Sequence, residues 1–311
     1  MSKQHVGIIG AGQVGVASAF AMFVQETCSE LILVDIDKKR AHGEAMDLMH
    51  GQGYAGRIVV RDGEYRDLSD CHVIVVAAGA AQKPGETRLD LLNSNARIFR
   101  DIADNLDRYA PDAIVVVASN PVDVLTYMMQ QLSQRPRHHV IGTGTMLDTS
   151  RFRTLLGHYY DVDPRSIHGY ILGEHGDSEF AAWSTVTIGG KSIRKGVLGK
   201  DWNPVEMDQL FANVRDAAYR IIEGKGHTNW AIGLVISRLV DIILDDRRSI
   251  QPVSALLRGD YGLSDVCVSV PAQIGSNGVQ RLIHLELEPG EQQALENSAA
   301  LMKKSIAGVE L

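Results

Sequence analysis

Short runs of Val and Ile, each followed by a longer segment of helical period, recur along the first half of the chain and constrain its fold more than any other feature. In order they are "HVGIIG" (5–10), the helical segment 14–27, "LILVD" (31–35), 38–50, "IVV" (58–60), "VIVVAAG" (73–79), 88–109, "AIVVVAS" (113–119), 122–133 and "VIGTG" (140–144). Continuous β-branched runs read as strands buried on both faces, and their alternation with helices predicts a doubly wound parallel α/β sheet. Residues 1–143 are expected to form this domain.

Beyond "LDTSRFRTLLG" the pattern changes. "WSTVTIGGKSI", "QPVSALL" and "CVSVPAQIGSNGVQRLI" carry strand and hairpin signals, between helical segments near 205–224, 228–246 and 289–306. Residues 144–311 are expected to form a second domain, mixed α+β with antiparallel pairs. A chain of 311 residues also exceeds what one core usually supports.

Composition excludes several classes. Against 38 Asp and Glu stand 31 Lys and Arg, a formal charge of -7, which argues against a dominant nucleic-acid or anionic-membrane surface. The basic stretches "RPRHH" (135–139) and "DDRRS" (245–249) are expected at solvated helix ends. Cys28, Cys71 and Cys267 show neither metal spacing nor a disulfide pattern. The opening "MSKQHVGIIG" enters a strand without a signal-peptide core, and the longest apolar tracts are interrupted by Asp123, Arg238 and Asp241. A cytoplasmic protein without membrane or nucleic-acid partners is expected.

"GIIGAGQVG" places Gly10, Gly12 and Gly15 in G-x-G-x-x-G spacing at a strand-to-helix turn, where backbone N–H groups can meet a pyrophosphate. The next strand ends in Asp35, twenty residues after Gly15, where a carboxylate can accept hydrogen bonds from the adenosine ribose. A 2′-phosphate at that position would meet a like charge worth up to ~4 kcal/mol. NAD is therefore expected rather than NADP.

In "YILGEHGDSEF" (170–180), His175 occupies a Gly-flanked polar turn at the end of an apolar strand, a place suited to proton transfer near neutral pH. Other histidines, including His42, His50, His138 and His139, have surface-type neighbours, and no metal-ligand spacing appears; no metal is expected. Asp148 and Arg151 stand three apart on one helical face, and spacing alone predicts an intrahelical salt bridge.

"GAGQVG", "AGAAQKPGETRLDLLNSN", "SNPVDV", "GTGTMLDTSRFR" and "ILGEHGDSE" follow one another along the chain. Together they resemble the L-lactate and malate dehydrogenase family over essentially its whole length. The resemblance implies a Rossmann-type NAD-binding domain, with Gly10, Gly12, Gln13, Val14, Gly15, Asp35, Asn120 and Ile232 toward the cofactor. It makes His175 the acid/base, Asp148 its carboxylate partner and Arg151 the fork for the substrate carboxylate. Arg88, on a loop that closes over the substrate, would polarise the C2 carbonyl. Asn120, preceding Pro121 in a bond that tends to be cis in the family, would contact the same oxygen, and Thr228 would line the pocket.

The same resemblance bears on substrate and control. Gln82 stands where malate-specific relatives carry arginine, so pyruvate and L-lactate are expected, with malate or a broader set of L-2-hydroxy acids as the alternative. Lys83 places a second cation nearby, and His227, Asn229 and Trp230 depart from the run common in lactate enzymes. A homotetramer of bacterial type is implied. Arg153 and His168 match a pair that binds fructose 1,6-bisphosphate as activator in allosteric relatives. A binding protein that kept the fold without turnover would be expected to lack His175, Asp148, Arg151 or Arg88, and all four are present.

Overall fold

The computed structural model describes residues 4–80 and 88–309. The Val/Ile runs form six parallel strands: β1 (His5–Ile9), β2 (Glu30–Val34), β3 (Val59–Asp62), β4 (Cys71–Val76), β5 (Ile114–Val117) and β6 (Val140–Gly142). They lie in the order β6-β5-β4-β1-β2-β3. Chain direction across the sheet therefore reverses at β1, which pairs with both β2 and β4. Such a switch point opens a crevice at the carboxyl ends of the strands.

Helices α1 (Gln13–Gln25), α2 (Lys38–His50), α3 (Arg88–Tyr109) and α4 (Val122–Leu132) connect the strands. The central strands are dry: Val73, Val75, Val115, Val116 and Val117 are fully buried. Each such side chain contributes roughly 1.5–3 kcal/mol relative to exposure. One face of the sheet packs Phe99, Leu106, Leu125 and Met128; the other packs Met22, Phe23 and Leu48.

The second half begins with α5 (Met146–Tyr160) and the short strands β7 (Ile167–His168), β8 (Ile171–Leu172), β9 (Phe180–Ala181), β10 (Thr187–Ile188) and β11 (Lys191–Ser192). Then come α6 (Pro204–Arg215), α7 (Ala217–Lys225) and α8 (Trp230–Leu244). The antiparallel strands β12 (Ser249–Arg258), β13 (Ser264–Gly275) and β14 (Gly278–Leu282) precede α9 (Pro289–Ile306). Phe152, Leu156, Ile167, Ile171 and Val186 form a separate core here. The architecture is a Rossmann-type doubly wound sheet with a second, mixed α+β region.

The two halves share more than a seam. Strand β12 pairs with β6 at Ser254 and Gly142, so β12, β13 and β14 extend the parallel sheet. A Cβ on Gly142 would stand 2.7 Å from that of Ser254 and 2.3 Å from Oγ1 of Thr126. Helix α8 lies against α1, where a Cβ on Gly233 would stand 2.7 Å from the Ala17 carbonyl. Glycine is what lets these two backbones approach.

Two details depart from expectation. The segment 205–224 is broken at Asp216, which ends α6 and precedes α7. In "RPRHH", Arg135 has no side-chain exposure, lying 3.3 Å from Asp107. It donates to the Ala110 carbonyl at 3.2 Å. The ion pair and carbonyl offset part of the burial of a charge that composition alone assigns to solvent, while Nε and Nη1 find no partner among the described residues.

Candidate active site

The glycine turn lies at the carboxyl end of β1. Gly10 has φ +104, and a Cβ there would meet the Ala78 nitrogen at 2.6 Å. A Cβ on Gly15 would stand 1.9 Å from the Gly10 carbonyl oxygen. These two glycines thus keep β1, β4 and α1 in contact. Gly12 differs: it starts α1 as N-cap and its missing Cβ faces open space, leaving the first turn of the helix accessible to an anion.

A cleft of about 960 Å³ runs past Gly10 and Gly12 to Asp35, Tyr65 and Ile98. Asp35 accepts from the Ala11 amide at 2.6 Å and the Asp37 amide at 2.8 Å. Its carboxylate is thereby fixed beside the glycine turn. A bare helix N-terminus, a glycine cradle and an oriented acid in one elongated cleft fit a dinucleotide with an unphosphorylated ribose.

The catalytic candidates come from three strand ends. After β6, α5 carries Asp148, buried, and Arg151, 14% exposed. After β8, Gly173 (φ +92) turns the chain toward His175. That turn is pinned to β13 by reciprocal Gly173 and Ser269 backbone bonds of 3.0 and 2.8 Å. After β5, Asn120 and Pro121 form a cis peptide and α4 begins with Asp123 in its first turn.

His175 Nδ1 lies 2.6 Å from Asp148 Oδ2, while Arg151 donates to the other oxygen, Oδ1, at 2.8 Å. The salt bridge expected from spacing is present, and it is half of a larger array. Burial opposes charge on His175, but the Asp148 charge and hydrogen bond outweigh it and carry the imidazole to about 9. Burial likewise opposes ionisation of Asp148; the His175 charge prevails, with Arg151 adding to it, and holds the carboxyl below its ordinary value. The array is a charged acid and base sharing one proton site.

Two further groups face the array. The His175 amide donates to Asp123 Oδ2 at 2.8 Å, and Ser254 donates to Asp123 Oδ1 at 2.6 Å. Glu179 is buried with Oε1 unpartnered, and burial pushes its carboxyl up to about 9. Ligand atoms of Asp148, His175 and Glu179 lie within 4.8 Å of one another. A dication held there would displace the 2.6 Å bond and stand beside the Arg151 guanidinium, an electrostatically poor site. Asp123 and Glu179 both belong to motifs quoted above, "SNPVDV" and "ILGEHGDSE"; their signal was an acid inside an apolar or Gly-bounded stretch.

Of the remaining candidates, Asn120 is exposed and Thr228 and Ile232 are half-buried before and within α8. Gln13 and Val14 begin α1. Arg88 is the first residue of α3, and Gln82 lies outside the described residues. Arg153 donates to the Gly169 carbonyl at 3.1 Å and its guanidinium lies 5.3 Å from the Tyr170 ring centre. His168 is exposed on β7.

Fold and site together define an NAD-dependent oxidoreductase. Residues 4–142 match the NAD-binding domain of lactate/malate dehydrogenases, and residues 145–310 match their alpha/beta C-terminal domain. The chain belongs to the lactate/malate dehydrogenase family. It is 54% identical over 309 residues to an L-lactate dehydrogenase of Salinibacter ruber, with 99% of this chain and 98% of that protein covered. An L-lactate dehydrogenase of Synechococcus sp. is 46% identical over 302 residues, covering 97% and 98%. The minor L-lactate dehydrogenase of Enterococcus mundtii, solved with ligands bound, superposes with a TM-score of 0.96 at 42% identity, covering 100% of both chains.

Proposed function

We propose that the chain is an L-lactate dehydrogenase that interconverts pyruvate and L-lactate with NAD. The observation that carries this reading is the His175, Asp148 and Arg151 array, which offers a transferable proton beside a fork for a carboxylate. In the direction of reduction, the imidazolium of His175 gives its proton to the C2 oxygen. Asp148 holds the ring tautomer and charge during that transfer. Arg151 grips the substrate carboxylate in bidentate fashion, and Arg88 and Asn120 act on the C2 oxygen. Thr228 lines the pocket. NAD, bound by Gly10, Gly12, Gln13, Val14, Gly15, Asp35, Asn120 and Ile232, supplies the two-electron exchange with C2 of the acid.

In this reading residues 1–143 are the NAD-binding unit and 144–311 the substrate unit. Gln82 selects pyruvate, because a second carboxylate shut into the pocket without a cation would lose several kcal/mol to desolvation. Arg153 and His168 bind fructose 1,6-bisphosphate between subunits of a cytoplasmic homotetramer. Support for that part is the resemblance of these two residues to the allosteric pair.

Initial rates of NADH oxidation with pyruvate, oxaloacetate and 2-ketoisocaproate, each with and without the sugar bisphosphate, test the reading. Pyruvate should win by orders of magnitude, and Gln82→Arg should move the preference toward oxaloacetate. Preference of the unaltered enzyme for oxaloacetate would overturn the substrate assignment. An unchanged pyruvate saturation curve in Arg153→Gln, with and without the sugar, would overturn the control site.

A further inference from the structure

Asp123 is buried at 2% exposure and spends both carboxylate oxygens across element boundaries. Oδ2 accepts from the His175 amide at 2.8 Å, and Oδ1 accepts from the Ser254 hydroxyl at 2.6 Å. One side chain in the first turn of α4 thus ties down the turn after β8 and the middle of β12. Asn120, three residues earlier, precedes Pro121, the N-cap of α4. A carboxylate at this position also faces the positive end of the α4 dipole.

We propose that Asp123 is a positioning residue for His175, fixing the histidine backbone against the start of α4 and holding a negative charge beside the imidazole. This assignment rests on the lactate dehydrogenase reading only for the reaction used to test it. Geometry carries it: Asp123 on α4 holds the His175 amide, while Asp148 on α5 holds the ring. Backbone and ring are therefore clamped from two helices on different elements of the fold. Misplacement by ~1 Å of a group that must meet a reacting atom can cost 10²-fold in rate.

The carboxylate adds charge as well as position. Around His175 stand Asp148 and Arg151 on α5, Asp123 on α4, and Glu179 and Glu174 in its own turn, with Arg215 of α6 acting on Glu179. Around Asp123 stand His175, Glu174, Ser254 of β12 and Cys267 of β13. The Asp123 charge is one of those that favour the imidazolium. An isosteric amide separates the two contributions. In Asp123→Asn the side-chain oxygen can still accept from the His175 amide, and its nitrogen can donate to Ser254, while the charge is gone.

The test compares Asp123→Asn and Asp123→Ala with the unaltered full-length enzyme in pyruvate reduction, reading kcat, KM for pyruvate, Kd for NADH and the pH profile of kcat/KM. Asp123→Asn should keep kcat within about threefold and move the basic limb of the profile to lower pH. Asp123→Ala should lose about tenfold or more in kcat while NADH affinity stays within about twofold. A basic limb in Asp123→Asn that coincides with the unaltered enzyme overturns the proposal, as does full kcat in Asp123→Ala. If the alanine variant fails to fold, the limb of the asparagine variant decides. Failure of the unaltered enzyme to turn over pyruvate would instead overturn the substrate reading, and the same comparison would then be run with the keto acid it accepts.

Discussion

His175 Nδ1 and Asp148 Oδ2 stand 2.6 Å apart, joining the turn after β8 to the first turn of α5. Because the charged pair carries the imidazole to about 9, pyruvate reduction with His175 as the proposed proton donor should hold its kcat/KM at neutral pH and fall as pH rises through about 9. Lactate oxidation, needing neutral imidazole, should rise over the same interval. In Asp148→Asn the limb for reduction should move down toward the ordinary histidine value of ~6.5. A limb unmoved by that substitution in pH–rate profiles would show that another group titrates.

The same linkage reaches stability. A histidine whose value is raised from 6.5 to about 9 on folding stabilises the fold fully below 6.5 and loses that contribution as pH climbs through about 9. Thermal melting of the unaltered chain should therefore decline across that window more steeply than melting of His175→Gln. Parallel declines in the two proteins would contradict this.

Arg151 differs from Asp148 in what its loss should do. Its guanidinium is a planar fork that lysine cannot reproduce. Arg151→Lys should raise KM for pyruvate by about two orders of magnitude, near 2.7 kcal/mol at 1.36 per decade, with NADH affinity unchanged. Equilibrium titration of NADH fluorescence beside steady-state kinetics separates the two quantities.

Two glycines of one motif should answer differently to alanine. The Cβ of Gly15→Ala would stand 1.9 Å from the Gly10 carbonyl oxygen, whereas that of Gly12→Ala would meet nothing within 4 Å. Gly15→Ala should destabilise the fold by roughly 1–3 kcal/mol or more. Gly12→Ala should melt like the unaltered chain yet bind NADH more weakly, because its methyl occupies the anion's approach. Equal melting temperatures for all three proteins would refute the packing argument.

Asp35 provides the cofactor test. Asp35→Ser removes the like charge that opposes a 2′-phosphate and should raise the NADPH to NADH ratio of kcat/KM by about tenfold or more. Because Asp35 also holds the Ala11 amide at 2.6 Å, absolute rates with NADH should fall. An unchanged ratio would mean that other charges set cofactor choice.

Much of this was legible locally. Helices α1 to α4 and the six parallel strands announce themselves through period and β-branched runs, since each buries its apolar residues on the same sheet. Motif resemblance singled out His175, Asp148 and Arg151, which the fold brings together, and spacing paired Asp148 with Arg151. The contacts of Asp123 were not legible, because its partners His175 and Ser254 are distant in sequence and meet it only in the folded chain. The burial of Arg135 is hidden in the sequence for the same reason: its neighbours in sequence are polar, and its partners Asp107 and Ala110 lie across the fold. The break at Asp216 carries no Gly or Pro to mark it.

The pairing of β12 with β6 has a consequence for anyone who would graft the cofactor-binding half onto another protein. A fragment cut after Gly142 would present β6 as a raw edge and leave the α1 face that receives Gly233 uncovered. Such an edge recruits further strands from solution. The transplantable unit is therefore not a contiguous stretch of gene: it needs the late hairpins and α8 as its lid and selvedge.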